Sequence, residues 1–208
     1  MSYRPRDGFF RKAKREGYRS RAAYKLLEIN QRFRVIRAGQ VVVDLGAAPG
    51  GWLQVAAGLA GPNGRVAGFD LQPIQPLSGR NVQTFEMDLL AEDAVERIGG
   101  CLNGGADCVL SDMAPPLSGV RDADRQRALA MARKAYEIAR EVLNPRGALL
   151  FKTFTGTGVE GLVKEMSGCF QTVQRVRSVA TRKGSSEIYV VARGYKAAAR
   201  AGRAPTPR

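Results

Sequence analysis

Four carboxylates and one lysine recur at one kind of place in this sequence. Asp44 closes the apolar run "VVVD", Asp70 closes "GRVAGFD", Asp88 closes "NVQTFEMD", Asp112 closes "ADCVLSD", and Lys152 stands near the end of "GALLFKTF". Each run reads as a strand. In open α/β sheets the carboxyl ends of the strands border the ligand crevice. Buried charge is costly unless it has a partner, so five such placements point to one crevice where acids and a lysine serve each other or a ligand. The loop "GAAPGG" after Asp44 offers small residues and bare backbone, which a ligand can approach closely. Ala48 stands where a dinucleotide motif has its second glycine, and Gly51-Trp52 stand where a phosphate-binding loop has Lys-Ser/Thr, so neither pattern is met.

Asp70 is placed to accept from ribose hydroxyls, as the acid does in nucleoside-binding sheets, and Asp88 to accept from the exocyclic amine of an adenine. Acids rather than arginines around the pocket suit a positively charged nucleoside. S-adenosyl-L-methionine has a sulfonium and an adenosine and no phosphate. The chain has no histidine. That excludes Ser-His-Asp and Cys-His catalysis and His-ligated metals, so acid–base work falls to Lys, Asp, Glu or Tyr. Cys101, Cys108 and Cys169 have neither disulfide-framework nor zinc spacing. No metal is expected.

The elements that position these groups alternate. "RSRAAYKLLEINQRF" reads as a helix capped by Ser20, with Ala23, Leu26 and Leu27 inward and Arg21, Lys25 and Arg32 toward solvent or ligand. "GWLQVAAGLAG" is a helix ended by glycine, and "RQRALAMARKAYEIAREVL" a longer one stopped by Asn144 and Pro145. "VEGLVKEMSGCF" is a third, before two late strands, "QTVQRVRSV" and "SSEIYVVA", with no helix between them. Alternating strands and helices predict a parallel sheet covered on both faces, and the late pair predicts an antiparallel ending. "RKGSSE" before the last strand reads as a basic turn. After Ala192 the composition predicts a disordered tail.

The 208 residues carry a net charge of +14. Residues 1–37 hold 12 basic and 3 acidic side chains, and residues 193–208 hold 5 and none. The body between is neutral, so two basic ends flank it, as suits a polyanion such as nucleic acid. The organisation expected is a basic extension over 1–19, one domain over 20–195 and a basic tail over 196–208. No apolar run reaches the ~18 residues of a membrane helix and the N-terminus has no signal-peptide core. A cytoplasmic monomer with no membrane partner is expected.

"VVVDLGAAPGGW", "DLQP", "LSDMAPP", "FKTF" and "SSEIYVVA" occur in the order and spacing of the FtsJ/RrmJ family, which the chain resembles over about residues 11–195. "RSRAAYKLLEI" is similar to that family's N-terminal helix. The resemblance implies a Rossmann-like class I methyltransferase fold: a seven-stranded, mostly parallel sheet with the last strand antiparallel and helices on both faces. It implies S-adenosyl-L-methionine-dependent methylation of an RNA ribose 2′-hydroxyl, most often in large-subunit ribosomal RNA. The family's tetrad falls on Lys25, Asp112, Lys152 and Glu187, and its cofactor contacts on Gly50, Trp52, Asp70, Asp88 and Asp112. Lysine acts as a base only when its pKa, about 10.4 unperturbed, is lowered by desolvation or a second ammonium. Lys152 is read as base or hydroxyl-polarising group, Asp112 as its orienter, and Lys25 and Glu187 as substrate positioners. Transfer-RNA or messenger-RNA-cap methylation and non-catalytic ribosome assembly are the alternatives. An amino-methylating enzyme fits less well, because "DMAPPL" has two extra residues before its prolines and no aromatic after them.

Overall fold

The computed structural model describes residues 8–102, 104–116, 118–156, 158–181 and 184–196. Seven strands, β1 (Val41–Leu45), β2 (Arg65–Asp70), β3 (Val82–Glu86), β4 (Ala106–Ser111), β5 (Leu143–Phe154), β6 (Phe170–Val176) and β7 (Glu187–Tyr195), form one sheet in the order β3-β2-β1-β4-β5-β7-β6. The pairs from β3 to β5 are parallel, and β7 lies antiparallel between β5 and β6. The expected α/β sheet with an antiparallel last strand is the one that forms.

The apolar runs are continuous because both faces of the sheet are covered. Val42 joins one core layer with α2 (Ala23–Phe33) and α3 (Gly51–Ala60). Val43 and Leu45 join the other with α4 (Ala94–Cys101), α5 (Arg121–Val142) and α6 (Val159–Cys169). Burying each of these side chains stabilises the sheet by about 2 kcal/mol. A one-residue slip of β1 would turn Asp44 into the α5 layer, so the register is strongly specified.

The chain leaves β1 toward β2 and β3 on one side and returns through β4 and β5 on the other. This reversal opens a crevice beyond the carboxyl ends of β1 and β4. The glycine loop and Asp112 border it.

Several elements differ from the sequence expectations. Ser20 does not cap α2: the helix begins at Ala23 after Ala22, with no side-chain cap, and Ser20 instead sits against Gly51. An eight-residue helix, α1 (Gly8–Arg15), lies in the segment read as a basic extension; its Ala13 packs with Tyr24 and Ala180. α4 also went unread. β5 follows α5 at once from Leu143, four residues before the expected strand start, with Arg146 turned to φ 67°. β7 runs to Tyr195, so residues 193–195 belong to the sheet rather than to the tail. The tail from residue 197, and Arg182 and Lys183 of the "RKGSSE" turn, lie outside the described residues.

Candidate active site at the carboxyl ends of the strands

Side chains alternate along a strand, and that period gathers the site on one face. Val42, Val66, Leu110, Leu150 and Tyr189 all join the α2/α3 layer. Asp44, Asp70, Asp112, Lys152 and Glu187 follow them at even spacing toward that same face. The Asp112 N–H donates to the Leu45 carbonyl at 3.2 Å, so the β1–β4 pairing continues into the site. In the β5–β7 ladder Lys152 stands opposite Tyr189, and Phe154 opposite Glu187. Lys152 and Glu187 are therefore diagonal neighbours.

Two ion pairs close within this space. Lys152 Nζ donates to Asp112 Oδ1 at 2.8 Å and also to the Asp112 carbonyl. Lys25 Nζ donates to Glu187 Oε1 at 2.6 Å, with side chains only 7% and 14% exposed. Lys25, read as open to solvent or ligand, is thus buried against the last strand. The helical period puts it one turn from Ile29 on the inward stripe. The four tetrad positions do come together, as two pairs across 40 and 162 residues of sequence.

Tyr189, which the sequence reading did not single out, sits between the pairs. Its hydroxyl donates to Glu187 Oε1 at 3.2 Å and its ring lies 5.7 Å from the Lys25 ammonium. Burial, then the Asp112 and Glu187 carboxylates, push this phenol well above its ordinary value, so it stays a donor. Thr181 adds a second hydroxyl to Glu187 Oε1 at 3.0 Å. Burial acts to raise the Glu187 carboxyl. The charge and hydrogen bond of Lys25 outweigh it, helped by Lys152 and Thr181, and hold the group below its ordinary value.

Asp44 is different. It lies inside β1 rather than at its end and is wholly buried. Neither carboxylate oxygen has a hydrogen-bond partner among the described residues. Burial, then the neighbouring Asp112 and Asp70, raise it well above the usual carboxylate range. Asp70 is partly committed: Oδ2 accepts from the Ala48 N–H at 2.9 Å and Oδ1 from the Gln72 N–H at 2.8 Å. It thereby ties the glycine loop to the end of β2. Asp88 lies two residues past β3, and its Oδ1 accepts from the Leu90 N–H at 2.9 Å.

The bare backbone of the loop serves the chain's own packing. A Cβ on Gly46, at φ 75°, would lie 2.7 Å from Met113 Cγ. A Cβ on Gly51 would lie 2.2 Å from the Ser20 hydroxyl. Arg19 crosses the loop, its guanidinium donating to the carbonyls of Pro49 at 3.1 Å and of Gln75 and Pro76 at 2.6 Å each. No sequence signal marked Arg19. Trp52 is 3% exposed and its indole N–H donates to the Ala22 carbonyl at 2.8 Å. The indole thus locks α3 to the start of α2. The Trp52 backbone N–H lies in the first turn of α3, where helical partners are lacking.

The FtsJ-like methyltransferase pattern matches residues 18–195. The chain is 47% identical to the ribosomal RNA large subunit methyltransferase E of Methanothrix thermoacetophila, over 92% of this chain and 73% of that relative. It is 43% identical to the protein of the same name in Myxococcus xanthus, over 91% of this chain and 89% of that one. Among solved structures, one from Plasmodium falciparum described as a ribosomal RNA methyltransferase superposes with a TM-score of 0.75 at 25% identity, covering 86% of this chain and 98% of that one. With the fold and the strand-end cluster in place, these matches establish that the chain belongs to the FtsJ-like methyltransferase family.

Proposed function

We propose that this methyltransferase carries a methyl group from S-adenosyl-L-methionine to a ribose 2′-hydroxyl of RNA, with large-subunit ribosomal RNA as its substrate. The observation that carries the reading is the pair of ion pairs, Lys152–Asp112 and Lys25–Glu187, closed on one sheet face beside the glycine loop. The relatives' names point to ribosomal RNA of the large subunit. The basic N-terminal segment suits a polyanion.

The residues fit such a cofactor. Asp44 is a buried acid with no hydrogen-bond partner among the described residues, and cations compensate buried acids best. Asp44 would serve a charged end of the cofactor, Asp70 its ribose, Asp88 its base edge, and Asp112 the region of the methyl group. Gly50 and the Trp52 N–H would form the wall at the start of α3. Bound there, the cofactor supplies an electrophilic methyl on a sulfonium.

Lys152 does the proton work. The Lys152 ammonium of the resting ion pair gives one proton to solvent before the reaction, and the two N–H bonds that the amine keeps donate to the Asp112 carbonyl and Oδ1. With both engaged, the nitrogen lone pair is left to face a ribose hydroxyl. Lys152 would take the proton of that hydroxyl, freeing its oxygen as the nucleophile toward the methyl that the cofactor would supply. The ammonium so formed lies 2.8 Å from the Asp112 carboxylate, which stabilises it. Lys25 and Glu187 hold one wall of the ribose site and fix β7 against α2. Fixing the attacking oxygen in line can be worth on the order of 7–11 kcal/mol, more than the proton transfer alone supplies.

The test incubates the protein with methyl-labelled S-adenosyl-L-methionine and large-subunit particles from cells lacking the activity. Methylated nucleosides are then identified after digestion. A 2′-O-methylnucleoside with wild type and none with Lys152→Ala, at unchanged cofactor affinity, is expected. A base-methylated product, or full transfer by Lys152→Ala, would overturn the assignment.

A further inference from the structure

A basin of about 580 Å³ opens beside the tetrad, lined by Arg121, Arg125, Phe154, Arg177, Ser185 and Ser186. Three elements build it: the start of α5, the end of β5 with the loop after it, and the segment leading into β7. Its lining adjoins the tetrad along the chain, with Phe154 two residues past Lys152 and Ser186 directly before Glu187. Phe154 stands opposite Glu187 in the ladder, and the Thr155 N–H donates to the Ser186 carbonyl at 2.8 Å. Lys152 and Phe154 share one face of β5, about 7 Å apart along the strand.

The basin is positive. Asp124, its acid, is spent: Oδ1 accepts from the Ser118 N–H, the Ser118 hydroxyl and Arg127, and Oδ2 from the Gly119 N–H. Backbone and hydroxyl bonds from Ser118, joined by Arg127 and Gly119 against a smaller effect of burial, lower its carboxyl to about 2. Asp122 meets Arg125 at 3.2 Å but is 88% exposed, so solvent screens that pair. The arginines are also positioned. Arg125 lies along Gly156, where a Cβ would come within 3.1 Å of its Cδ. Arg177 precedes Ser178, whose hydroxyl is tied to Glu28 at 2.6 Å.

We propose that this basin seats a nucleotide of the RNA strand flanking the one that is methylated. Arg121, Arg125 and Arg177 take its phosphodiester and the Phe154 ring stacks on its base. This rests on the RNA reading above. Three planar guanidinium forks around hydroxyl groups match phosphate oxygens, and a half-buried aromatic at the edge of a cationic groove is how single strands are held without sequence preference. Its described lining is not the tetrad itself but its chain neighbours, Phe154 and Ser186 among them, as suits a nucleotide flanking the one that reacts.

The probe is a fluorescein-labelled single-stranded RNA of about 12 nucleotides, followed by anisotropy across a salt series with the full chain. Three lost phosphate contacts reduce the log–log salt slope by about 2. The triple variant Arg121→Gln/Arg125→Gln/Arg177→Gln should show that drop and bind about 100-fold more weakly at 0.1 M salt. The corresponding triple lysine variant should keep the slope. Phe154→Leu should weaken binding about tenfold with the slope unchanged. S-adenosyl-L-methionine affinity and the melting temperature serve as folding controls. An unchanged slope in the glutamine variant, or no RNA binding by wild type, overturns the basin. RNA binding with the expected slope change, but no 2′-O-methylnucleoside from wild type, supports the basin and overturns the reaction instead.

Discussion

The Lys25–Glu187 pair makes a quantitative prediction. Replacing Lys25 with Met keeps the length and apolar stem of the side chain and removes its charge. Glu187 is then left in a space where its side chain is 14% exposed, still holding the hydroxyls of Thr181 and Tyr189. Breaking one partner of a buried pair costs about 3–5 kcal/mol. Two retained hydrogen bonds place this case at the lower end, about 3 kcal/mol. At about 2–4 °C per kcal/mol for a chain of this size, the melting temperature should fall by about 6–12 °C. The double variant Lys25→Met/Glu187→Gln removes both charges and keeps an acceptor for the hydroxyls. It should return to within about 1 kcal/mol of wild type. Urea unfolding at pH 7 measures all four corners of the cycle. The pH dependence has a definite sign. Glu187 is held below its ordinary value of 4.5, so its contribution is full above that pH and is lost as pH falls through the folded value. The gap between wild type and Lys25→Met should therefore narrow on acidification below 4.5. A loss under about 1 kcal/mol in Lys25→Met, or a double variant as unstable as the sum of the singles, would refute the picture of a closed, desolvated pair. Methyl transfer should remain lost in the double variant, because its recovered stability does not restore a charged wall to the ribose site.

Asp44→Asn should stabilise the ligand-free protein, and increasingly so as pH rises from the ordinary aspartate value. The folded carboxyl is raised by burial, Asp112 and Asp70, so wild type loses stability as pH climbs toward the folded value; calorimetry at pH 5 and pH 8 reads the difference, and cofactor affinity should fall in the same variant. Arg19→Gln removes the guanidinium that joins Pro49, Gln75 and Pro76. It should weaken S-adenosyl-L-methionine binding roughly tenfold in titration calorimetry, with the melting temperature changed by only a few degrees.

The sheet was legible because its two covered faces demand uninterrupted apolar strands, and a charge that ends such a run has to sit at the edge of the core. That logic located Asp70, Asp112 and Lys152 from local sequence alone. It misjudged Asp44, which continues the same alternation one residue inside β1 and is buried by α3 rather than freed at a strand end. Partner choice was not legible locally. Lys25 meets Glu187 across 162 residues, and only the position of β7 inside the sheet, between β5 and β6, brings them together. On a helical wheel Lys25 looks like any solvated lysine. α1 and α4, at eight residues each, are too short to show a full apolar stripe and are held by packing instead. The Arg19 guanidinium bonds to the backbone carbonyls of Pro49, Gln75 and Pro76, which carry no residue-type signature.

Charge in this crevice is sorted by depth. Inside, Asp112 and Asp70 both act on the buried Asp44, and Lys152 pairs with Asp112. The interior therefore holds more acids than cationic partners among the described residues, and a bound cation would favour the charged form of Asp44. At the rim, Arg121, Arg125 and Arg177 line the basin, and the basin's acid is consumed by its own loop. On the proposed reading a polyanion would be drawn to that rim and repelled from the acids beneath it. The Lys152 amine sits where the two regions meet, with Asp112 behind it and the basin's Phe154 two residues along its strand. Reversing either layer should fail in a different way. Acids at the rim would abolish RNA capture with cofactor binding intact, whereas amides in the interior would leave RNA held over a pocket that no longer attracts a cation.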